Sequence, residues 1–281
     1  MYKPAKVTPV GKSDDESYRW FNVPRWYLWE GGFLLIGRAQ GVVPPHSHHA
    51  IQIVIALDGK VAISGEDEEW RQGPGLVVKA DTVHSFDALG SLGAMLFVDP
   101  ESNEGAWLSS SVGHDISIIP AGRIASCVSG FLRFIEQPLE SMEIRELIRQ
   151  CVQTLSPGAP PARGIDERVT KVLVEIQKSD ELRITLENAA EMAFLSPSRF
   201  AHLFKEQMGL PFRKYMLWRK LTRGMVSIGR ERTIADAAHA ADFADAAHLT
   251  RTFYQMVGMA PSALMRGDFA QISSPFSLTN S

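Results

Sequence analysis

The rhythm of apolar and polar positions changes near residue 121. Between residues 20 and 98, apolar residues fall in short runs broken by Gly, Pro and Asp. Phe33–Ile36, Ile51–Leu57 and Leu76–Val78 are examples. Short apolar runs bounded by turn residues predict buried strands. Asp58-Gly59, followed by VAIS, reads as a hairpin turn. Strands at this spacing predict a small β-sandwich or barrel. From residue 121 the apolar positions step by three and four, across Ile124–Ile135 and Met142–Leu155 with Pro138 between them. This period predicts two amphipathic helices. The stripe Ile144, Leu147, Ile148 and Cys151 packs either against the protein's own strands or against a second copy. Pro and Gly in the segment 156–164 cannot continue a helix, so a linker is expected there.

Seven helices are expected after residue 164. Thr185 and Thr233 are N-cap candidates, the latter with Asp236 three residues on. Ser196 precedes Pro197, a favourable cap and first-turn pair. Gly209 and Gly258 are expected terminators.

Two segments of this half repeat. Phe200, Phe204, Gly209 and Phe212 correspond to Leu249, Phe253, Gly258 and Pro261 at an offset of 49. Ala189-Ala190 corresponds to Ala237-Ala238 at 48, so the second copy has one more residue in its turn. Each copy reads helix, short turn, helix, Gly, which is a helix-turn-helix pattern. At 100° per residue, Phe200, Leu203, Phe204, Gln207 and Met208 share one arc of the first copy. Leu249, Thr252, Phe253, Met256 and Val257 share that arc in the second. The opposite arcs hold Ser198, Ala201, His202 and Lys205, and Ala247, Thr250, Arg251 and Tyr254. Arg can pair with guanine, and Thr and Ala can meet a thymine methyl. Pro211–Ile228, roughly 27 Å long as a helix, could set the two recognition helices about one DNA turn (~34 Å) apart. Gly224 in that helix should cost about 1 kcal/mol against Ala, and close packing would explain it.

Composition bounds the picture. The chain has 281 residues, 45% apolar and 22% charged, which suits a soluble globular protein of one or two domains. No run approaches the ~18 apolar residues of a membrane span. The N-terminus lacks the apolar region of a signal peptide. Cys127 and Cys151 make neither a disulfide framework nor a CxxC pair, so a cytoplasmic location is expected. The net charge of −3 argues against nucleic acid only as an average. Residues 1–163 hold 14 basic and 19 acidic residues, whereas 164–266 hold 15 and 12. The stretch 211–232 carries Arg213, Lys214, Arg219, Lys220, Arg223, Arg230 and Arg232 against Glu231 alone. Phosphate contact is physically sensible for some of these.

The segments LENAAEMAFLSPSRFAHLFKEQMGLPFRKYM and TIADAAHAADFADAAHLTRTFYQMVGMAPSAL resemble the DNA-binding domain of the AraC/XylS-type transcriptional regulators, in which two helix-turn-helix units are joined by a long helix. The resemblance covers about residues 165–266. The chain departs from the family at four positions: Asp242 for Gly, Leu249 for Phe, Lys220 for Arg and Gly224 for Ala.

The first half carries His46-Ser47-His48-His49 and, further on, His84. Two His two apart on a strand face the same way, and a third from a neighbouring strand could complete a metal site. Gly41, His46, His48, Gln52, Gly59, Gly75 and His84 together resemble the cupin core. Cupin enzymes usually have a Glu ligand where Gln52 stands, and a neutral amide is the weaker ligand for a hard cation. The AraC/XylS resemblance implies an effector-sensing, dimerising cupin, often without metal. His46, His48, Gln52 and His84 are expected to line an effector pocket, with hydrogen-bonded or solvated histidines of a fold remnant and a bound Zn, Fe or Mn as the alternatives, while His49 faces away. The acidic run Gly65–Trp70 reads as a solvated hairpin tip, and Trp20, Trp26, Tyr27 and Trp29 as packing residues.

The expected architecture is α+β. Residues 1–155 form a cupin-like β-barrel with helices, 156–164 a linker, 165–266 an all-α tandem helix-turn-helix domain and 267–281 a tail. The expected function is sequence-specific regulation of transcription, without catalysis or a cofactor. The partners implied are promoter DNA, an unidentified small effector, RNA polymerase and a second copy, with no membrane. The rival reading is a metal-dependent cupin enzyme with a regulatory helical domain.

Overall fold

The structure, a computed structural model, describes residues 19–20, 25–29, 31–136, 141–158, 164–178, 184–230, 233–265 and 268–271. Pro138, most of the linker, Glu231, Arg232, the Trp20 side chain and most of the tail lie outside the described residues. Chain contacts divide the molecule into two units. Met1–Pro161 and Thr250–Ser274 make up the first, and Ala162–Leu249 belongs to the second.

The apolar runs of the first half become strands. They are β1 (Arg19–Trp20), β2 (Arg25–Trp29), β3 (Gly32–Gln40), β4 (Val42–His46), β5 (Ile51–Ala56), β6 (Val61–Ser64), β7 (Trp70–Gly73), β8 (Gly75–Val78), β9 (His84–Asp87) and β10 (Leu92–Val98). Helix α1 (Asn103–Ser111), β11 (Ile116–Ile119), α2 (Ala121–Glu136) and α3 (Ser141–Leu155) follow. One sheet runs β11-β8-β5-β10-β3-β2, with β1 also on β3, and a second runs β4-β9-β6-β7. Among the described residues the strands make these two open sheets and no closed hydrogen-bonded barrel. Strands β5, β6 and β8 are buried at every position. Such strands read as continuous apolar runs because both faces are covered. The Phe33 and Phe97 rings stack at 4.3 Å in this core.

Asp58-Gly59 does not close a hairpin. Strands β5 and β6 lie in different sheets, so the turn carries the chain from one to the other. Gly59 supplies the positive φ of 68°. The Asp58 carboxylate accepts from Leu92 N–H at 2.7 Å and pairs with Arg38. The acidic run does cap a hairpin, since β6 and β7 pair around its exposed tip. Trp26 and Trp29 are buried, and Trp26 Nε1 donates to Leu264 O at 3.2 Å. The stripe Ile144, Leu147, Ile148 and Cys151 is buried within the first unit, which leaves it unavailable to a second copy. Close packing of α2 on α3 is marked by Gly130, where a Cβ would collide with Leu147 Cδ1.

The seven later helices are α4 (Glu167–Lys178), α5 (Leu186–Met192), α6 (Pro197–Met208), α7 (Phe212–Arg230), α8 (Ile234–Ala240), α9 (Ala246–Val257) and α10 (Ser262–Met265). Strand β12 (Asp268–Gln271) then pairs in parallel with β2 in the larger sheet. Sequence reading leaves these four residues in the tail. They are too few to show a period, and the open edge of β2 is what accommodates them.

Candidate DNA-reading faces and a buried histidine cluster

Helices α6 and α9 are both 12 residues long and start 49 residues apart. Local chemistry sets their ends. The Ser196 hydroxyl accepts from Arg199 N–H, and Pro197 occupies the first turn. The Asp245 carboxylate caps α9 by accepting from His248 N–H at 2.6 Å, a cap that sequence reading missed. Gly209 and Gly258 end the two helices at φ of 80° and 76°, where a side chain would be strained. Upstream, the Thr185 and Thr233 hydroxyls cap α5 and α8 as expected. The connecting turns match as well. Phe194 and Asp242 have φ of 56° and 60°. The next residues, Leu195 and Phe243, each donate to the carbonyl five residues back at 2.9 Å.

Burial follows the two arcs. Phe200, Phe204 and Met208 are buried with Val172, Ile176, Phe212 and Tyr215 in the core of the first helix-turn-helix. Ser198, His202 and Lys205 are exposed and Ala201 half-buried. In α9, Leu249, Thr252, Phe253 and Val257 are buried. Ala247 and Arg251 are exposed, and Thr250 and Tyr254 half-buried. Arg213 and Lys214 are exposed at the start of α7. A Cβ on Gly224 would lie 3.1 Å from Leu249 Cδ1 and 3.6 Å from Ala241 Cβ, so close packing does account for that glycine. Two departures from the family pattern turn out to be partners: Lys220 Nζ donates to the Asp242 carboxylate at 3.0 Å and to its carbonyl at 3.1 Å. Phe194, which sequence reading passed over, is 85% exposed, with Lys171 Nζ 4.8 Å from its ring centre.

The four polar residues His46, His48, Gln52 and His84 come together in the first unit. His46 ends β4, His84 opens β9, and the two are register partners. Gln52 comes from β5. His46, His48, Gln52 and His84 are all buried. The ring centres of His46 and His84 are 4.3 Å apart, and those of His48 and His84 5.2 Å. One ligand-capable nitrogen from each of the three rings lies within 4.8 Å of the others. Each Nδ1 faces a nearby backbone carbonyl: His46 to Pro44 at 2.9 Å, His48 to Ala50 at 3.0 Å, His84 to Thr82 at 2.9 Å. A carbonyl only accepts, so each Nδ1 carries the proton and each Nε2 a lone pair. Gln52 Oε1 sits 2.9 Å from His84 Nε2 and 3.2 Å from His48 Nε2. Burial lowers all three pKa values, that of His48 to about 3 with His46 adding to the effect. All three rings are neutral at pH 7. On the same unit, Gly258 leaves room beside His46, where a Cβ would come within 3.3 Å of Nε2 and collide with Val43.

His49 is not part of this set. Its Nδ1 lies 3.0 Å from an Asp81 oxygen and its Nε2 3.3 Å from a Glu101 oxygen. Burial opposes its charge, but the two carboxylates outweigh burial and raise its pKa to about 9. Asp81 and Glu101 are distant in sequence, so nothing local announces this pairing.

A helix-turn-helix domain family matches residues 189–267. The probable transcriptional regulator LumQ of Photobacterium leiognathi is 25% identical over 232 residues, covering 77% of this chain and 90% of LumQ. The chain thus carries a helix-turn-helix domain and is similar over most of its length to a probable transcriptional regulator. Its fold extends the likeness beyond the reading domain. The crystal structure of ToxT from Vibrio cholerae O395 aligns with a TM-score of 0.53 at 12% identity, over 89% of this chain and 98% of ToxT. An unsaturated fatty acid bound wild-type ToxT from Vibrio cholerae strain SCE256 aligns at 0.50 and 10% identity, over 91% and 97%. At these identities the likeness is one of fold. No helix among the described residues is long and apolar enough to cross a membrane.

Proposed function

We propose that the regulator holds promoter DNA through both helix-turn-helix units and answers to a small ligand bound in a cupin-like first unit. The observation that carries this reading is the repetition of α6 and α9 at an offset of 49, each with a buried apolar face and an exposed polar one. Ser198, Ala201, His202 and Lys205 are the reading set of the first unit of the repeat, and Ala247, Thr250, Arg251 and Tyr254 that of the second. Arg213 and Lys214 contact phosphate, which adds affinity without sequence preference. Residues 1–155 serve as sensor and dimerisation region, 156–164 as linker and 165–266 as reader. The two sheets of the first unit and the His46, His48, Gln52 and His84 cluster support the cupin-like assignment.

A bound small molecule in ToxT, a relative by fold, supports a ligand-responsive first unit. Such a ligand shifts DNA binding only through unequal affinity for two states of the protein. Met142 and Leu132, exposed on α3 and α2, are apolar residues left for a second copy. The reading assigns the chain no catalysis and places it in the cytoplasm with the DNA and RNA polymerase. Footprinting of genomic DNA by the full-length protein tests it. Protection of discrete sites, each with two half-sites about one helical turn apart, is the expected result, and uniform protection along the duplex would refute it.

A further inference from the structure

We propose that Cys127 and Cys151 close to a reversible disulfide when the protein meets a hydroperoxide, which makes the α2–α3 pair of the first unit a redox-sensitive modification site. Nothing in this site depends on the DNA-reading faces.

The two cysteines are 24 residues apart in the chain, one on α2 and one on α3. Contacts on either side set them at the same level of an antiparallel helix pair. Near the start of α2, Arg123 donates to Leu155 O, at the end of α3, at 2.9 Å. Further along, α2 comes so close to α3 that a Cβ on Gly130 would collide with Leu147 Cδ1. Cys127 lies four residues after Arg123 and Cys151 four before Leu155, so one helical turn on each side brings the thiols face to face. Both are buried, and each is the other's side-chain hydrogen-bond partner. Closing that contact to an S–S bond of about 2.04 Å is a small movement for helices that already pack at a glycine.

A thiol buried among apolar groups is ordinarily inert. This pair differs in two respects. The first is an asymmetry of the protons. The Cys151 S–H donates to Cys127, which lowers the Cys127 thiol below its ordinary value against the opposing pull of burial, and Ser126 adds to the effect. Cys151, which keeps its proton in that bond and is buried, is pushed up. Cys127 is therefore the nucleophile and Cys151 the resolving thiol, an arrangement that redox-sensing cysteines use. The second is a route for the oxidant. A groove of about 620 Å³ runs over the same stretch of the two helices, lined in part by Ser126, Ser129, Gly130, Leu147 and Gln150. Ser126 and Gln150 are the chain neighbours of the two cysteines, and Ser126 hydrogen-bonds the Cys127 thiol. The groove thus reaches the nucleophile's own partner and is ample for a hydroperoxide.

The chemistry balances in two steps. The Cys127 thiolate sulfur attacks one peroxide oxygen. An S–O bond forms, the O–O bond breaks, and the departing hydroxide takes up the proton lost by Cys127 as water or, from an organic peroxide, as an alcohol. Cys151 sulfur then attacks the Cys127 sulfenic acid. The S–S bond forms, the S–O bond breaks, and hydroxide leaves as water with the Cys151 proton. The two thiols give up two electrons and two protons, and the peroxide is reduced. A cytoplasmic disulfide of this kind is transient, because cellular thiols reduce it again.

The test treats reduced full-length protein with hydrogen peroxide and follows intact mass, peptide map and near-ultraviolet circular dichroism. The expected result is a loss of two hydrogen atoms per chain, one cross-linked peptide pair joining Cys127 to Cys151, and full reversal by dithiothreitol. Tm should rise in the oxidised form, since the bond constrains the unfolded chain, and should return on reduction. Cys151→Ser should stop the reaction at a Cys127 sulfenic acid that dimedone traps. Cys127→Ser should leave Cys151 as a free thiol that dimedone does not label. Should either variant fail to fold, the wild-type mass and peptide map decide without it. Two thiols that persist under excess peroxide, oxygen addition without a cross-link, or a link between two chains would each overturn the site. Loss of the circular dichroism signal before loss of the thiols would overturn it as well, because the cysteines would then react only in unfolded protein.

Discussion

Gln52 Oε1 and His84 Nε2 lie 2.9 Å apart in a buried cluster, from positions 32 residues apart in the chain. Tertiary packing joins them, because β5 and β9 belong to different sheets and share no backbone pairing. With the Gln52 amide turned so that its N–H groups donate to the two Nε2 lone pairs, Gln52→Leu would leave both buried imidazole nitrogens against hydrocarbon. We expect a loss of about 1–3 kcal/mol in denaturant unfolding, the usual cost of an unsatisfied buried polar group. An unchanged midpoint would mean the amide contributes nothing to the cluster.

Arg251 is exposed on the outward face of α9. Arg251→Ala should cost about 1–3 kcal/mol of specific affinity and relax the preference at one base pair. Arg213→Ala and Lys214→Ala should weaken all sequences alike and reduce the salt slope by about one each. A binding-site selection read by sequencing distinguishes the two patterns. Preference unchanged in Arg251→Ala would remove that residue from the reading set.

His49 gives stability a pH dependence. Its folded-state pKa of about 9 lies above the value of about 6.5 in an unfolded chain. Its contribution is therefore complete below about pH 6.5 and is lost as pH rises through 9. Asp81 is partly exposed, which reduces the effect to the order of 2 kcal/mol. Unfolding free energies measured from pH 6 to 10 should fall across this window, and His49→Gln should flatten the curve.

Asp242 adopts φ of 60° in the turn of the second repeat and pairs with Lys220. Asp242→Gly relieves the backbone strain but removes the pair, so a small net change is expected. Asp242→Ala keeps the strain, loses the pair and should be the less stable variant. A double-mutant cycle on Lys220 and Asp242 should give a coupling of about 0.2–1 kcal/mol, as for a partly exposed ion pair.

Gly258→Ala introduces a strained φ and a collision with Val43 at once. It should lower Tm clearly more than Gly209→Ala, where a Cβ meets nothing within 4 Å. Equal effects would show that the Val43 contact is not made in solution.

The helical half was legible because its signals are local. The period of 3.6, the caps at Thr185, Ser196 and Thr233, and the terminal glycines all lie within a few residues of what they determine. The apolar runs likewise located the strands of the first half. What stayed hidden depends on distant partners. Asp58-Gly59 has the composition of a hairpin turn, but β5 and β6 find their partners in different sheets, and the Asp58 side chain is held by the distant Leu92 N–H and Arg38. Strand β12 exists through the backbone edge of β2, which leaves no imprint on side-chain pattern. The histidines were visible as a motif, whereas their Nδ1 bonds and the separate pairing of His49 required the fold.

Salt-dependent binding of the full-length protein to duplex DNA tests the central claim most directly. The full chain is the proper reagent, because residues 250–274 group with the first unit. The account predicts tight binding to a subset of genomic fragments over a weaker general background, with affinity falling steeply and linearly in log salt. Binding of equal strength to every fragment, or none at low salt, would contradict it.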